Sequence, residues 1–317
     1  FGLTQKSFSY SSDPKQFIQE VVDEAKQILV DTNSKEYKTE KLSEMALQTV
    51  DIKGVAYYSL GNYRKELNEE HMKEYLVLFE KYFLKSFTSR LTDYSDPKIE
   101  VISVPCGDDV YEGYFCHPRE PKADKWPAVL FLGGADAFAE EIYFGGSEVC
   151  ERGYAMLLVD TPGRGSSMYV KNITTRPDYE VPGKACFDYL FSRPEIDPER
   201  VALMGISMAG YYAPRVAAYE ERIKALIAWC GCYSILDDLY LHYKPLQATC
   251  QRLLGGVTDE EAKILLKDFT MEGIAQNIRV PTIMTHGSAD KLMDLEGARR
   301  LFGEIGSKDK TLHIFDD

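Results

Sequence analysis

Basic residues are in short supply. Lys and Arg number 37 against 50 Asp and Glu, a net charge of −13, and a chain of that sign is repelled by nucleic acid and by anionic membrane surfaces. No nucleic-acid partner is expected, whereas small neutral or cationic ligands remain open. No apolar run reaches the roughly 20 residues needed to cross a bilayer, so no transmembrane segment is predicted, and residues 1–12 are too polar for the apolar core of a signal peptide. The seven cysteines lack zinc-like pairing: Cys230 and Cys232 stand two apart with no second close pair, so they read as buried thiols of a reducing compartment rather than as a metal site or a disulfide framework. The first hundred residues contain none. No linker rich in glycine, proline or serine interrupts the chain, and no internal repeat is found.

What is present suffices for two domains, with 317 residues of which 44% are hydrophobic, and the pattern reads as a soluble globular chain. Residues 1–97 read as helical. Asp13-Pro14 places a cap before proline at a first helical position, and Phe17, Val21, Val22, Ala25, Ile28 and Leu29 follow at helical spacing. Further helices are predicted from Thr39 to Val50 and from Asn68 to Leu91. The last carries a stripe of Met72, Tyr75, Leu76, Leu78, Phe79 and Phe83, a core face by default and the wall of a lipid cavity as the sharper alternative.

From residue 98 onward the period changes. Ile99–Val104, Ala128–Leu132, Ala155–Asp160, Val201–Gly205, Ala225–Cys230, Thr282–His286 and Thr311–Phe315 read as strands. They alternate with helices near Glu140–Glu151, Val181–Ser192, Ser207–Ala218 and Leu295–Ile305. Such alternation predicts an α/β fold, a doubly wound, mostly parallel sheet covered by helices on both faces.

The chemistry concentrates in Val201-Ala-Leu-Met-Gly205-Ile-Ser207-Met208-Ala209-Gly210. A serine between a strand and a helix, with small residues two places away on each side, is held out of the sheet on a tight turn, as a nucleophile must be. Ala209 stands where glycine is usual, with Gly210 next. An acylating serine also needs backbone N–H donors for the developing oxyanion. Met208 supplies one, and the loop Leu132-Gly133-Gly134-Ala135 after an apolar strand supplies the other, from either Gly134 or Ala135. In Thr282-Ile-Met-Thr-His286-Gly-Ser-Ala-Asp290 a strand ends in a turn to aspartate. That makes Asp290 the expected acid, with Asp294 as the runner-up or merely a helix cap. A histidine should follow one more strand. That strand contains His313 and the sequence stops at Asp317, so this domain reads as truncated before its catalytic histidine. His286 reads as packing, and His71, His117 and His242 have no motif around them.

These residues resemble a known family. Leu132-Gly-Gly-Ala-Asp-Ala-Phe-Ala-Glu140-Glu141, Asp160-Thr-Pro-Gly-Arg-Gly-Ser-Ser167, the serine turn and His286-Gly-Ser-Ala-Asp290 are similar to α/β-hydrolases of the dienelactone-hydrolase and fermentation-respiration-switch type. The similarity is greatest to the branch of the pseudo-oxynicotine C–C hydrolase and the fungal polyketide-shortening enzymes. The resemblance implies a small-molecule ester or ketone substrate, no metal or organic cofactor, and Glu140 near the scissile bond. As a bare residue Glu140 equally suits the first turn of a helix. It also implies a short cap over residues 233–278, with Tyr233, Tyr240 and Tyr243 shaping the substrate pocket.

Before residue 100, Val50-Asp51, Leu60-Gly-Asn-Tyr-Arg64 and Tyr75-Leu-Val-Leu-Phe-Glu-Lys-Tyr-Phe83 resemble the periplasmic phospholipid-binding component of the Mla (toluene-tolerance) system, whose second half does not follow here. That resemblance implies a phospholipid partner. Three functional readings therefore stand: a serine-nucleophile hydrolase impaired by its missing histidine, a phospholipid carrier, and a fusion of two unrelated fragments. The hydrolase half suggests the cytoplasm and the helical half the periplasm.

Overall fold

A computed structural model describes residues 10–92 and 98–316. Residues 93–97, where the sequence sets the boundary between the two segments, lie outside it, as do residues 1–9 and Asp317. The chain divides into two compact units, residues 1–96 and 97–317.

The first unit is helical: α1 (Pro14–Val30), α2 (Lys35–Thr49), α3 (Ile52–Leu60) and α4 (Glu69–Thr92). The Asp13 side chain accepts from the Gln16 amide and caps α1. Ser34 caps α2, starting it one turn before the predicted Thr39. The nine-residue α3, which the sequence reading did not anticipate, starts on Asp51, whose carboxylate accepts from the Gly54 amide. Leu42, Met45, Ala46, Ile52 and Ala56 are buried. On α4 the stripe is half-buried rather than enclosed, and Leu78 is exposed. Tyr75, Phe79, Phe83 and Phe87 stack as an i, i+4 ladder with ring centroids 5.7, 6.4 and 6.0 Å apart. A hollow of about 150 Å³ lies between α3 and α4, lined by Ile52, Ala56, Leu76 and Val77, smaller than the pockets that usually hold small molecules.

The second unit is built on one sheet of eight strands: β1 (Ile99–Cys106), β2 (Asp109–Cys116), β3 (Trp126–Leu132), β4 (Ala155–Val159), β5 (Ile196–Ile206), β6 (Ala225–Trp229), β7 (Thr282–Gly287) and β8 (Lys310–Phe315). Their order is β1-β2-β4-β3-β5-β6-β7-β8. β2 pairs antiparallel with β1 and β4, and every other pairing is parallel. The helices are α5 (Ala139–Gly146), α6 (Glu148–Glu151), α7 (Gly165–Tyr169), α8 (Glu180–Ser192), α9 (Ala209–Tyr219), α10 (Gln247–Leu253), α11 (Asp259–Leu265) and α12 (Leu295–Glu304). β3 and β4 are buried almost throughout, as expected of strands covered on both faces. Ala128, Leu130 and Leu132 point into a core shared with Phe187 and Leu190 of α8 and Val216 of α9. Val129 and Phe131 point the other way, to Ala139 and Cys150.

The sequence reading had seven of these strands and missed β2. Tyr111, Gly113 and Phe115 alternate with less buried residues, so no continuous apolar run marks it. Gly113 also weakens the signal, although the strand requires it: a Cβ there would stand 2.1 Å from the Leu158 carbonyl oxygen.

One ion cluster fastens β1. Glu100 accepts from Arg193 at 2.8 and 3.2 Å and touches His117. The Arg193 hydrogen bonds, more than His117, hold its carboxyl down from 4.5 to about 2. A group with a depressed folded value stabilises fully above its unfolded value and loses that contribution as pH falls through the folded one. Glu100→Gln should therefore lower stability in urea titrations by a constant amount at pH 7 and pH 5. The gap to the parent should close between about 4.5 and 2; a pH-independent gap would mean that packing, not charge, is what the substitution removes.

Candidate active site

Ser207 follows β5 directly and has φ +57°, the left-handed conformation that costs a non-glycine residue strain and is retained where a side chain must be held in place. Its amide donates to the Trp229 carbonyl at the end of β6, and its carbonyl accepts from Gly210. The small neighbours have measurable reasons. A Cβ on Gly205 would lie 2.3 Å from the Ala209 carbonyl oxygen and one on Gly210 2.0 Å from that of Cys230. Ala209 fits fully buried in the place where glycine is usual.

The loop after β3 reaches this serine. β3 pairs with β5 up to Leu132 opposite Gly205, and a Cβ on Gly134 would stand 2.9 Å from the Ser207 Cβ and 3.2 Å from its Oγ. Among the described residues, the amides of Gly134, Ala135 and Met208 donate to no backbone carbonyl. Two buried residues after β4 hold the loop. The Asp160 carboxylate accepts from the Ala139 and Ser166 amides at 2.9 and 2.7 Å, and Arg164 donates its Nε–H to the Gly133 carbonyl at 2.7 Å. The sequence reading quoted Asp160-Thr-Pro-Gly-Arg-Gly-Ser-Ser167 only as a mark of resemblance and assigned neither residue a part.

On the other side, the ends of β5, β6 and β7 carry Ser207, Cys230 and Asp290 in that spatial order. The Cys230 amide donates to the Thr285 carbonyl just as Ser207 donates to Trp229. Two strand spacings of about 4.8 Å separate the ends of β5 and β7. The Asp290 Oδ1 accepts from the Leu292 and Met293 amides at 2.8 and 3.1 Å, while Oδ2 faces the Cys230 thiol at 3.5 Å. Burial, reinforced by that carboxylate, pushes the Cys230 thiol up to about 12, so it stands as a neutral donor. Cys230 has φ +66°, and nothing in its local sequence signals that it would meet a residue 60 positions away. Asp294 caps α12, accepting from the Glu296 amide, which leaves Asp290 at the strand end.

Glu140 makes no hydrogen bond to Ser207, Cys230 or Asp290 among the described residues; its partner is on β2. It is exposed on the first turn of α5 and accepts from the Tyr114 hydroxyl, on β2, with β4 and β3 between that strand and β5. The structure thus places Glu140 on the first turn of α5, bonded to Tyr114. Two of the tyrosines expected to shape a pocket have their hydroxyls bonded to neighbouring helices. The Tyr233 hydroxyl bonds Glu304 of α12 and that of Tyr240 bonds Asp259 of α11, both rings being buried. The segment between β6 and β7 does meet the loop after β3 through Arg252 of α10, which pairs with Asp136 at 2.9 Å.

No histidine among the described residues hydrogen-bonds Ser207. His313 lies within β8, opposite Thr285. His286 is buried, with Nε2 near the Met293 carbonyl oxygen at 3.1 Å and the Asp290 Oδ2 at 3.8 Å, and its Nδ1 has no partner. His117 is tied to Glu100, and His242 lies 4.0 Å from Asp294.

A mostly parallel sheet with this strand order, a strained serine at the end of β5 and an aspartate after β7 define an α/β-hydrolase domain, preceded in this chain by a helical segment. Comparison with known proteins agrees. Residues 114–263 match the X-Pro dipeptidyl-peptidase (S15 family) model and residues 269–317 the serine aminopeptidase, S33, model. The hydrolase pyiE of Pyricularia grisea is 35% identical over 163 residues, 47% of this chain and 34% of that protein. The α/β hydrolase gkaG of Penicillium citrinum is 37% identical over 143 residues, 42% of this chain and 33% of that protein. The matched part of this chain thus spans about a third of the length of these curated relatives. Among solved structures, the 2,6-dihydroxy-pseudo-oxynicotine hydrolase superposes with a TM-score of 0.68 at 23% identity, covering 94% of this chain and 79% of its own.

Residues 17–110 match the MlaC protein model, so both resemblances read from the sequence are present. The MlaC match, however, continues through β1 and into β2, which belong to the hydrolase sheet. The 94% coverage by a solved hydrolase, for its part, exceeds what residues 97–317 alone amount to. The helices are thus part of a fold shared with a hydrolase, and neither the phospholipid-carrier reading nor the fusion of unrelated fragments is favoured.

Proposed function

We propose that residues 97–317 form a serine-nucleophile hydrolase centre acting on the carbonyl of a small-molecule ester or of an activated C–C bond. The observation that carries this reading is the left-handed Ser207 at the end of β5 with the Gly134 backbone packed against its side chain. In the proposed reaction the Ser207 Oγ adds to the carbonyl carbon as its proton passes to hydroxide or a buffer base from solvent. The Gly134 or Ala135 amide, together with that of Met208, binds the oxyanion. Collapse of the tetrahedral adduct expels the leaving group and leaves an acyl-serine, which water hydrolyses. Asp290 would orient the imidazole that serves as base in a complete triad. None of the five histidines in these 317 residues meets that description, so solvent serves as base in both half-reactions, and the good leaving group of an activated ester makes acylation the faster of the two. A serine and oxyanion site without its histidine retains about 10³–10⁴-fold catalysis over water in the subtilisin case.

The test is a pre-steady-state measurement with 4-nitrophenyl acetate. The parent chain should release a burst of 4-nitrophenolate approaching one equivalent, followed by slow turnover, and Ser207→Ala should show no burst. Equal traces from the two proteins would refute the reading.

A further inference from the structure

We infer that Arg164 is a positioning residue that orients and polarises the Gly133–Gly134 peptide as the oxyanion donor, which singles out Gly134 over Ala135; this deepens the function proposed above and rests on it. Arg164 is 2% exposed and, among the described residues, makes no ion pair. Its Nε–H bonds the Gly133 carbonyl at 2.7 Å, and Nη1 bonds the Tyr179 hydroxyl at 2.6 Å and the Pro162 carbonyl at 3.1 Å. Its guanidinium carbon lies 4.4 Å from the Tyr212 ring centroid and 5.4 Å from that of Tyr179, and Nη2 has no partner.

A buried cation left without a carboxylate is expensive, and a tie to one carbonyl could be made by a neutral donor. What the charge adds is a field. The Gly133 C=O and the Gly134 N–H are two ends of one peptide group, and no peptide bond among the described residues is cis. The N–H therefore points away from Arg164, on the opposite side of that group. Gly134 is the residue whose added Cβ would touch Ser207, and its amide donates to no backbone carbonyl among the described residues. A guanidinium donating to the carbonyl draws electron density through the amide and strengthens the N–H as a donor, as hydrogen bonds in series do. With no carboxylate to neutralise it, the same charge favours an oxyanion formed on the far side of the peptide. The planar fork, packed against the Tyr212 and Tyr179 rings, fixes the direction of the bond in a way that a lysine ammonium does not.

The experiment compares Ser207-dependent acylation of the parent, Arg164→Met and Arg164→Lys by 4-nitrophenyl acetate and by its thionoester, whose sulfur accepts hydrogen bonds poorly. Removing a whole oxyanion donor costs about 10²–10³-fold. Weakening one that remains should lower the acylation rate constant for the oxygen ester in Arg164→Met by about 10- to 100-fold, with little change in the substrate concentration at half-saturation. The loss with the thionoester should be much smaller, and Arg164→Lys should fall between the two. Equal losses on both esters, or no loss, would overturn the inference, because a merely structural role does not distinguish oxygen from sulfur. Circular dichroism and thermal melting accompany each variant; should Arg164→Met fail to fold, the oxygen-to-sulfur ratio in Arg164→Lys decides. If Ser207→Ala gives the same trace as the parent, the proposed function fails and this inference with it. If the burst needs Ser207 but the ratio ignores Arg164, only the inference fails.

Discussion

Gly134→Ala is expected to reduce Ser207-dependent acylation by about 10²–10³-fold while shifting the melting temperature by only a few degrees. Gly134 is not among the glycines with positive φ, so its backbone accepts an alanine without strain. The whole cost lies in what the new methyl meets: the Ser207 Cβ at 2.9 Å, its Oγ at 3.2 Å and the Ile206 carbonyl oxygen at 3.3 Å. Relief comes from turning the serine or lifting the loop, and either separates nucleophile and donor from the reacting carbonyl. Gly210→Ala is the contrasting case. Its methyl would stand 2.0 Å from the Cys230 carbonyl oxygen, a backbone atom, so it should cost about 1–3 kcal/mol or more of fold stability and lose activity through unfolding. Paired stopped-flow traces and thermal melts on the two variants separate the outcomes. A Gly134→Ala protein that acylates like the parent would remove the loop after β3 from the site.

What the sequence reveals about this molecule follows the range of the interactions. The turn at Ser207 is legible because its requirements are local: Gly205, Ala209 and Gly210 are small for contacts within a few residues or with the next strand end. Asp290 is legible because a strand ending in a turn to aspartate is also a local pattern. β2 and α3 are not, one because it alternates around a glycine and the other because nine residues leave little periodicity to count. Contacts across the fold escape altogether. Cys230 meets Asp290 only because β6 lies beside β7, and Arg164 reaches Gly133 only because β4 lies beside β3. Glu140 is another contact of this kind: its bond to Tyr114 of β2 follows from the sheet order and not from any local pattern.

The helical segment illustrates how periodicity alone leaves two readings open. The α4 stripe has the spacing of a core face and also of a lipid-cavity wall, and it lies within the residues that match the MlaC protein. In the structure the stripe is half-buried and its aromatic rings pack on one another. The alignment with the solved pseudo-oxynicotine hydrolase covers 94% of the chain and so runs into these helices as well as the sheet.

The second large effect concerns the base. Added imidazole is expected to accelerate deacylation of the parent chain by about 10²-fold, and to do so only while the Asp290 carboxylate is present. Two backbone amides fix Oδ1 of that carboxylate, leaving Oδ2 with one weak thiol donor. The spacing from β5 to β7, about 10 Å across β6, accommodates an imidazole that bonds Asp290 through one nitrogen and reaches the acyl-serine with the other. His286 cannot fill that position, since it is buried with its Nε2 turned to the Met293 carbonyl. The free base of imidazole is the active form, so the enhancement should rise with pH and level off above about 7. It should also saturate with imidazole concentration, as binding at a site requires. Asp290→Ala should retain the burst and lose the saturable enhancement. A rate that climbs linearly with imidazole and equally in both proteins would mean attack from bulk solution, and Asp290 would then have no part in orienting a base.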